Sequence, residues 1–241
     1  MEDFSQILRQ GFEEYSLTER VEPAAVQNLE HFSRLLLEKN QVMNLTAIRE
    51  PEGVARLHIL DCAALLQFCD FENKSLIDVG TGAGFPGMVL KILVPSLKIT
   101  FLDSLDKRLN WISEVCEDLD GIESITTVHA RAEELSLKKG FRDSFDFAAA
   151  RAVADLRLLC ELCLPYVKVG GQFLAMKSAN SDHELEDAAH AIKLLGGRVA
   201  AVKDYPLPGT EITHRLIVIE KVAPTLKGYP RRWSKMQKEP L

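Results

Sequence analysis

The chain has 241 residues, 46% of them hydrophobic, and carries 29 Lys and Arg against 35 Asp and Glu for a net charge of −6. That length can bury a sizeable core, and the longest apolar runs are strand-sized, which excludes a membrane-spanning helix. The acidic balance argues against a protein that coats nucleic acid with its whole surface. Glu2 and Asp3 break any signal-peptide pattern, and five cysteines, an odd number, fit reduced thiols. The expected compartment is the cytoplasm.

Residues 1–70 read as helical. A segment opening at Glu22-Pro23 places Val26, Leu29, Phe32 and Leu36 at helical spacing. A polar break over Asn40 to Asn44 follows, then a second helix from Glu52 to Cys69. Together they predict a small N-terminal subdomain packed against, or capping, what comes next. From residue 75 the pattern alternates. Strands are predicted at 75–79, 98–103, 125–129, 145–150, 171–177, 198–203 and 213–220, with helices at about 86–93, 105–119, 131–137, 152–165 and 182–195. Such alternation implies an α/β fold with a mostly parallel sheet and helices on both faces. Pro206-Leu207-Pro208-Gly209 is too short for a helix, so the final strand should run antiparallel. The predicted division is a helical subdomain at 1–70, an α/β domain at 71–221 and a basic C-terminal tail at 222–241. From Lys221 onward the charge is +5, leaving −11 for the rest. Cys160 and Cys163 form a lone C-x-x-C inside a helical pattern, which suits core packing better than a metal; no metal site is predicted.

The candidate site begins where the apolar run Leu76 to Val79 meets Gly80, Gly82 and Gly84, with Pro86 opening a helix. Strand, glycine turn and helix let a ligand approach the backbone closely. A dinucleotide fingerprint would want a third glycine where Phe85 stands. Ligands in open α/β sheets lie at the carboxyl ends of the strands, and that rule selects further residues. Asp103 could accept ribose hydroxyls, or cap the helix that follows. Ala132 and Glu133 could read an adenine edge, or Glu133 could be a first-turn acid. Arg151 could clamp a ligand carboxylate or hold an acceptor, or be a surface arginine paired with Asp146 or Asp155. Lys177 could meet a phosphate or extend into solvent.

Several stretches, in order and spacing, resemble the glucose-inhibited division protein B family: Asn44-Leu45-Thr46-Ala47, His58-Ile59-Leu60-Asp61, Asp78-Val79-Gly80-Thr81-Gly82-Ala83-Gly84-Phe85-Pro86-Gly87, Leu102-Asp103-Ser104-Leu105-Asp106-Lys107-Arg108, and Ser144-Phe145-Asp146 leading to Arg151-Ala152. Cys62 departs from the serine expected after Asp61. The likeness covers about Leu35 to Lys221. It implies a bacterial enzyme with a seven-stranded Rossmann-like methyltransferase sheet. Such an enzyme methylates guanine N7 in 16S ribosomal RNA, in free rRNA or in the small ribosomal subunit. The implied S-adenosylmethionine site is lined by Gly80, Phe85, Ala132, Glu133 and Arg151, with Gly82, Gly84 and Asp103 carried over from methyltransferases at large. N7 presents a free lone pair, so no general base is expected. Arg151 should avoid N7, because positive charge develops there. Asn44, His58, Lys177, Arg231 and Arg232 are the candidates for contact with RNA, the last two beside Tyr229 and Trp233 in the basic tail. His58 and Asp61, three apart on a helix, should interact. The protein is expected to be a monomer without metal or membrane partner. The alternative is a methyltransferase on the same fold acting on a small molecule or a protein.

Overall fold

The computed structural model describes residues 3–151 and 154–241; Glu2, and Ala152 with Val153 at the head of the predicted 152–165 helix, lie outside them. Ahead of the sheet stand α1 (Phe4–Glu14), α2 (Pro23–Met43) and a helical run over 51–67. That run is not uniform. It opens as α3 (Pro51–Val54), widens into a π-helical turn (Ala55–Leu60), closes through α4 (Asp61–Ala63) and ends in a 3-10 turn (Ala64–Gln67). The strands are β1 (Ser75–Val79), β2 (Lys98–Asp103), β3 (Ile125–His129), β4 (Phe145–Arg151), β5 (Val167–Ser178), β6 (Gly197–Pro206) and β7 (Thr213–Lys221). The remaining helices are α5 (Gly87–Leu93), α6 (Asp106–Asp118), α7 (Ala132–Leu135), α8 (Leu156–Cys163), α9 (Asp182–Asp187), α10 (Ala189–Leu194) and α11 (Trp233–Lys238).

The polar stretch at Asn40 does not break α2. Its buried side chain donates to Thr46 O and accepts from Thr46 N, both at 2.9 Å, so the loop satisfies it and the helix runs on to Met43. Asn44 then ends the helix at φ +48°, a conformation asparagine tolerates better than most residues.

The described strands form one seven-stranded sheet in the order β3-β2-β1-β4-β5-β7-β6. β1 to β5 pair in parallel where they are neighbours, and β7 runs antiparallel to both β5 and β6. The strand order reverses between β1 and β4, which opens a crevice at their carboxyl ends. Because β7 is reversed, its first residues lie at that same edge.

Side chains alternate between two cores. Along β4, Phe147 and Ala149 join one cluster and Ala148 and Ala150 the other. The first cluster takes Leu8, Phe12, Leu29, Phe32 and Leu36 from α1 and α2 together with Leu76, Phe101 and Leu174 of the sheet. The N-terminal helices therefore share the sheet's core instead of building one of their own. The segment expected as a basic tail is likewise folded onto the second face, where Met236 is 0% exposed. Arg142 donates to the carbonyls of Thr225 and Tyr229, each at 2.9 Å, and Arg231 forks onto Glu161 at 2.7–2.8 Å. The predicted C-x-x-C cysteines are both buried in α8.

Candidate functional site

At the crevice, residues converge on a cleft of about 810 Å³, a volume suited to a small ligand. Its floor is the glycine turn after β1, where Gly80, Gly82 and Gly84 have φ of +73°, +58° and +106°, values side chains rarely adopt. Asp78 fastens this turn: one carboxylate oxygen accepts from Thr81 Oγ1 at 2.8 Å and from Gly87 N at 2.9 Å. Burial pushes the Asp78 carboxyl up to about 6, against the opposing pull of those two bonds. The glycines serve different ends. A Cβ on Gly84 would lie 2.7 Å from Met88 Cγ and 2.9 Å from Ile112 Cδ1, so packing demands its absence. A Cβ on Gly82 would meet nothing nearer than Gly80 O at 3.9 Å, so there the bare backbone faces open space.

Asp103, at the end of β2, is largely engaged. It accepts from Gly82 N at 3.0 Å, Leu105 N at 2.9 Å and Arg108 Nη1 at 3.2 Å, tying the glycine turn to the entry of α6. The N-cap role anticipated as the alternative is not filled, since Leu105 stands at the N-cap and no side chain caps α6; Asp103 instead accepts from the N–H of that residue, and its side chain also lines the cleft. Across from it, Ala132 and Glu133 open α7. Glu133 is 8% exposed, and among the described residues no hydrogen bond occupies its carboxylate.

Strand alternation assigns the remaining side chains. Arg151 follows Phe147 and Ala149 toward the N-terminal helices, whereas Lys177 points to the other face. Arg151 is neither on the surface nor paired with Asp146 or Asp155. Its Nη1 donates to Asp61 Oδ2 at 3.0 Å and to Leu57 O at 3.3 Å, its Nη2 to His58 Nδ1 at 3.1 Å. The guanidinium also lies 4.7 Å above the ring of Phe85, close enough for a cation–π attraction. The π-helical turn and the first residue of α4 thus present His58 and Asp61 to one arginine, and their mutual interaction, expected as direct, runs through Arg151. Asp61, 2% exposed, further accepts from Tyr205 Oη and His214 Nδ1, each at 2.8 Å. Burial alone would raise its pKa; the His214 bond and the charge of Arg151 outweigh it and hold the carboxyl below its usual range.

Arginine only donates and a carbonyl only accepts, so His58 Nδ1, 3.1 Å from Arg151 Nη2 and 3.0 Å from Leu57 O, serves the first with its proton on Nε2 and the second with its proton on Nδ1; Nε2 faces Thr46 Oγ1, 2.7 Å away, in both. Burial, with Arg151 adding to it, depresses His58 to about 4, so the ring is neutral. Its plane packs 4.6 Å from Phe85, which also meets Phe32 at 5.5 Å. Phe85 therefore fills the place of a third glycine with an aromatic hinge between the turn and the N-terminal helices.

Two residues predicted to contact phosphate have partners within the protein. Lys177 lines the cleft but donates to Ala154 O at 3.1 Å and pairs with Glu184 at 2.6 Å. Arg231 is spent on Glu161, a carboxylate 1% exposed. Arg232 is exposed beside it, and Asn44 is exposed next to Leu45 and Thr46, which line the cleft. Tyr205, His214, Leu162 and Met176 were not singled out in the sequence. The rule of strand ends would have reached the first two had it been applied to the reversed pair, where β6 finishes and β7 begins.

A family model described as GidB, rRNA small subunit methyltransferase G, matches residues 25–212. A ribosomal RNA small subunit methyltransferase G from Alkaliphilus metalliredigens (strain QYMF) is 44% identical over 98% of this chain and 98% of its own length. One of the same name from Acetivibrio thermocellus is 46% identical over 87% of this chain and 86% of its own. Among solved structures, a SAM-dependent O-methyltransferase from Thermotoga maritima has the same fold at 18% identity and a TM-score of 0.51, covering 80% of this chain and 73% of that one. So does geranyl diphosphate C-methyltransferase from Streptomyces coelicolor A3(2), at 12% identity and 0.53, covering 73% and 85%.

Proposed function

The chain belongs to the GidB family, the rRNA small subunit methyltransferases G, and from that premise we propose that it methylates N7 of one guanine in 16S ribosomal RNA. The methyl donor is S-adenosylmethionine, and the enzyme works as a monomer in the bacterial cytoplasm. The observation that carries this reading is the match to relatives of that name over nearly the whole chain. The stretch 25–212 spans every residue lining the cleft except His214 and Trp233.

The chemistry of the cleft fits the donor. Gly82 leaves its backbone open to a ligand, and Asp103 and Glu133 are acceptors for hydroxyl and amino groups. In this reading Gly80, Gly82, Gly84, Phe85, Asp103, Ala132, Glu133 and Arg151 hold it. When bound, it supplies an electrophilic sulfonium methyl. Guanine N7 carries a lone pair and no proton, so the protein's work is alignment and exclusion of water. His58 suits that scheme. Neutral, and with both ring nitrogens engaged, Nδ1 by Arg151 and Leu57 O and Nε2 by Thr46, it orients neighbours and abstracts nothing. Positive charge grows on the purine as it accepts the methyl group, and a free arginine beside it would oppose the reaction. Asp61, 3.0 Å from Arg151, offsets that charge. Asn44 is the candidate reader of the base edge from the rim, and exposed Arg232 the candidate phosphate contact.

The test is transfer of tritiated methyl from S-adenosylmethionine to small ribosomal subunits that lack the modification, followed by mapping of the label. Label at a single guanine N7 is expected. No label on particles or free rRNA, with donor binding intact, would overturn the substrate and leave the fold standing.

A further inference from the structure

We propose that the docked C-terminal segment is part of the methyl-donor site, with Trp233 forming the wall against which the donor's purine lies. This deepens the function proposed above and rests on it. The first observation is place. Trp233 lines the same cleft as Leu102, Ala130, Ala132 and Glu133. Like Ala130 and Ala132, it packs against the second core, across the sheet from the His58–Arg151 cluster. On that side the Lys177–Glu184 pair is closed on itself, which leaves one free carboxylate, Glu133, beside the apolar surfaces of Leu102, Ala130, Ala132 and Leu162. A flat heteroaromatic ring with amino hydrogens fits this combination.

The second observation is how firmly the tryptophan is held. Arg231, the residue before its neighbour, donates from its backbone N and its guanidinium to the Glu161 carboxylate, at 2.7–2.8 Å. Upstream, Arg142 collects the carbonyls of Thr225, Leu226 and Tyr229 at 2.9–3.2 Å. Downstream, Met236 is sealed in the core. An aromatic anchored on both sides is pre-organised, and stacking on it costs little ordering. The charges that made this segment look like an RNA arm are partly consumed in fixing it.

The experiment is calorimetric titration of the full-length protein with S-adenosylhomocysteine, alongside filter binding of a 16S rRNA fragment. Trp233→Ala should weaken the nucleoside ligand about tenfold, in line with the loss of one stacked base. Trp233→Phe should hold within about threefold, and rRNA binding should change in neither. Glu161→Gln, which loosens the anchor, should weaken the same ligand. Equal affinity in wild type and Trp233→Ala would overturn the inference, as would a variant that loses rRNA and keeps the ligand. Failure of the wild type to bind S-adenosylhomocysteine at all would instead overturn the donor reading itself. Should Trp233→Ala fold poorly, fluorescence decides. The chain has two tryptophans, so in Trp111→Phe all emission comes from Trp233. Ligand binding seen by calorimetry without a change in that emission would also sink the proposal.

Discussion

Asp61 accepts hydrogen bonds from Arg151, Tyr205 and His214, which sit on three different strands. Removing it strands a guanidinium whose side chain is only 15% exposed. Asp61→Ala should therefore cost about 3 kcal/mol, visible as a clear drop in melting temperature, while Asp61→Asn, which keeps an acceptor oxygen, should cost less. Matching melts for wild type and Asp61→Ala would refute the hub. His58 and Asp78 make an opposed pair in pH. His58 titrates near 4 folded and near 6.5 unfolded, so the unfolded chain takes the proton first. Its contribution is present above 6.5 and is lost as pH falls toward 4. Asp78 titrates near 6 folded against 3.8, so its contribution is present below 3.8 and is lost as pH rises through 6. The two nearly offset each other between pH 4 and 6. Relative to wild type, His58→Gln should become less stable as pH rises across that window, and Asp78→Asn more stable. Thermal melts at pH 4.5 and 6.5 check this, and parallel slopes for all three proteins would contradict it.

Among the elements, the glycine turn separates packing from ligand access. Gly84→Ala pushes a methyl into Met88 and Ile112 at φ +106° and should cost roughly 2–4 kcal/mol. Gly82→Ala carries only left-handed strain of about 1 kcal/mol but should impair nucleoside binding. Urea denaturation and ligand titration of both variants give the order, and the reverse order would refute this division. A second close approach lies at Gly11 of α1, where an added Cβ would strike Leu60 of the π-helical turn. Gly11→Ala should disturb His58 on that turn and Asp61 directly after it, and so raise the dissociation constant for S-adenosylhomocysteine, as calorimetric titration would read; an unchanged constant would contradict this. The strands and the glycine turn were legible because apolar runs such as Leu76 to Val79 and spaced glycines are local signals. The π-helical turn has no such signal, and the contacts it makes, of Leu60 with Gly11 and of His58 with Phe85, are tertiary. Nor could local spacing reveal that Lys177 is claimed by Glu184, or Arg231 by a carboxylate 70 residues away. Arg151 was found by its strand end, but its partners were misjudged, because the strand's alternation turns it inward to α4.

For the molecule as a whole, a net charge of −6 means that RNA must be met by a local patch. Arg215 is committed to Asp182 and Asp204, and Lys221 to Asp143, so cations such as exposed Arg232, next in sequence to cleft-lining Trp233, carry more of the burden. Arg232→Ala should weaken rRNA binding and reduce the slope of log affinity against log salt by about 1, without altering affinity for S-adenosylhomocysteine. An unchanged slope would remove Arg232 from the interface. The bond from Tyr205 to Asp61 has a further consequence. β6 is an edge strand of the sheet, mostly exposed along its length, and edges are where native-state amide exchange begins. Tyr205 fastens the far end of that edge to the acceptor that also holds Arg151. Opening of β6 therefore removes one of the hydrogen bonds that hold Asp61 in place against the arginine. A ligand seated in the cleft should slow deuterium uptake along a strand it never touches.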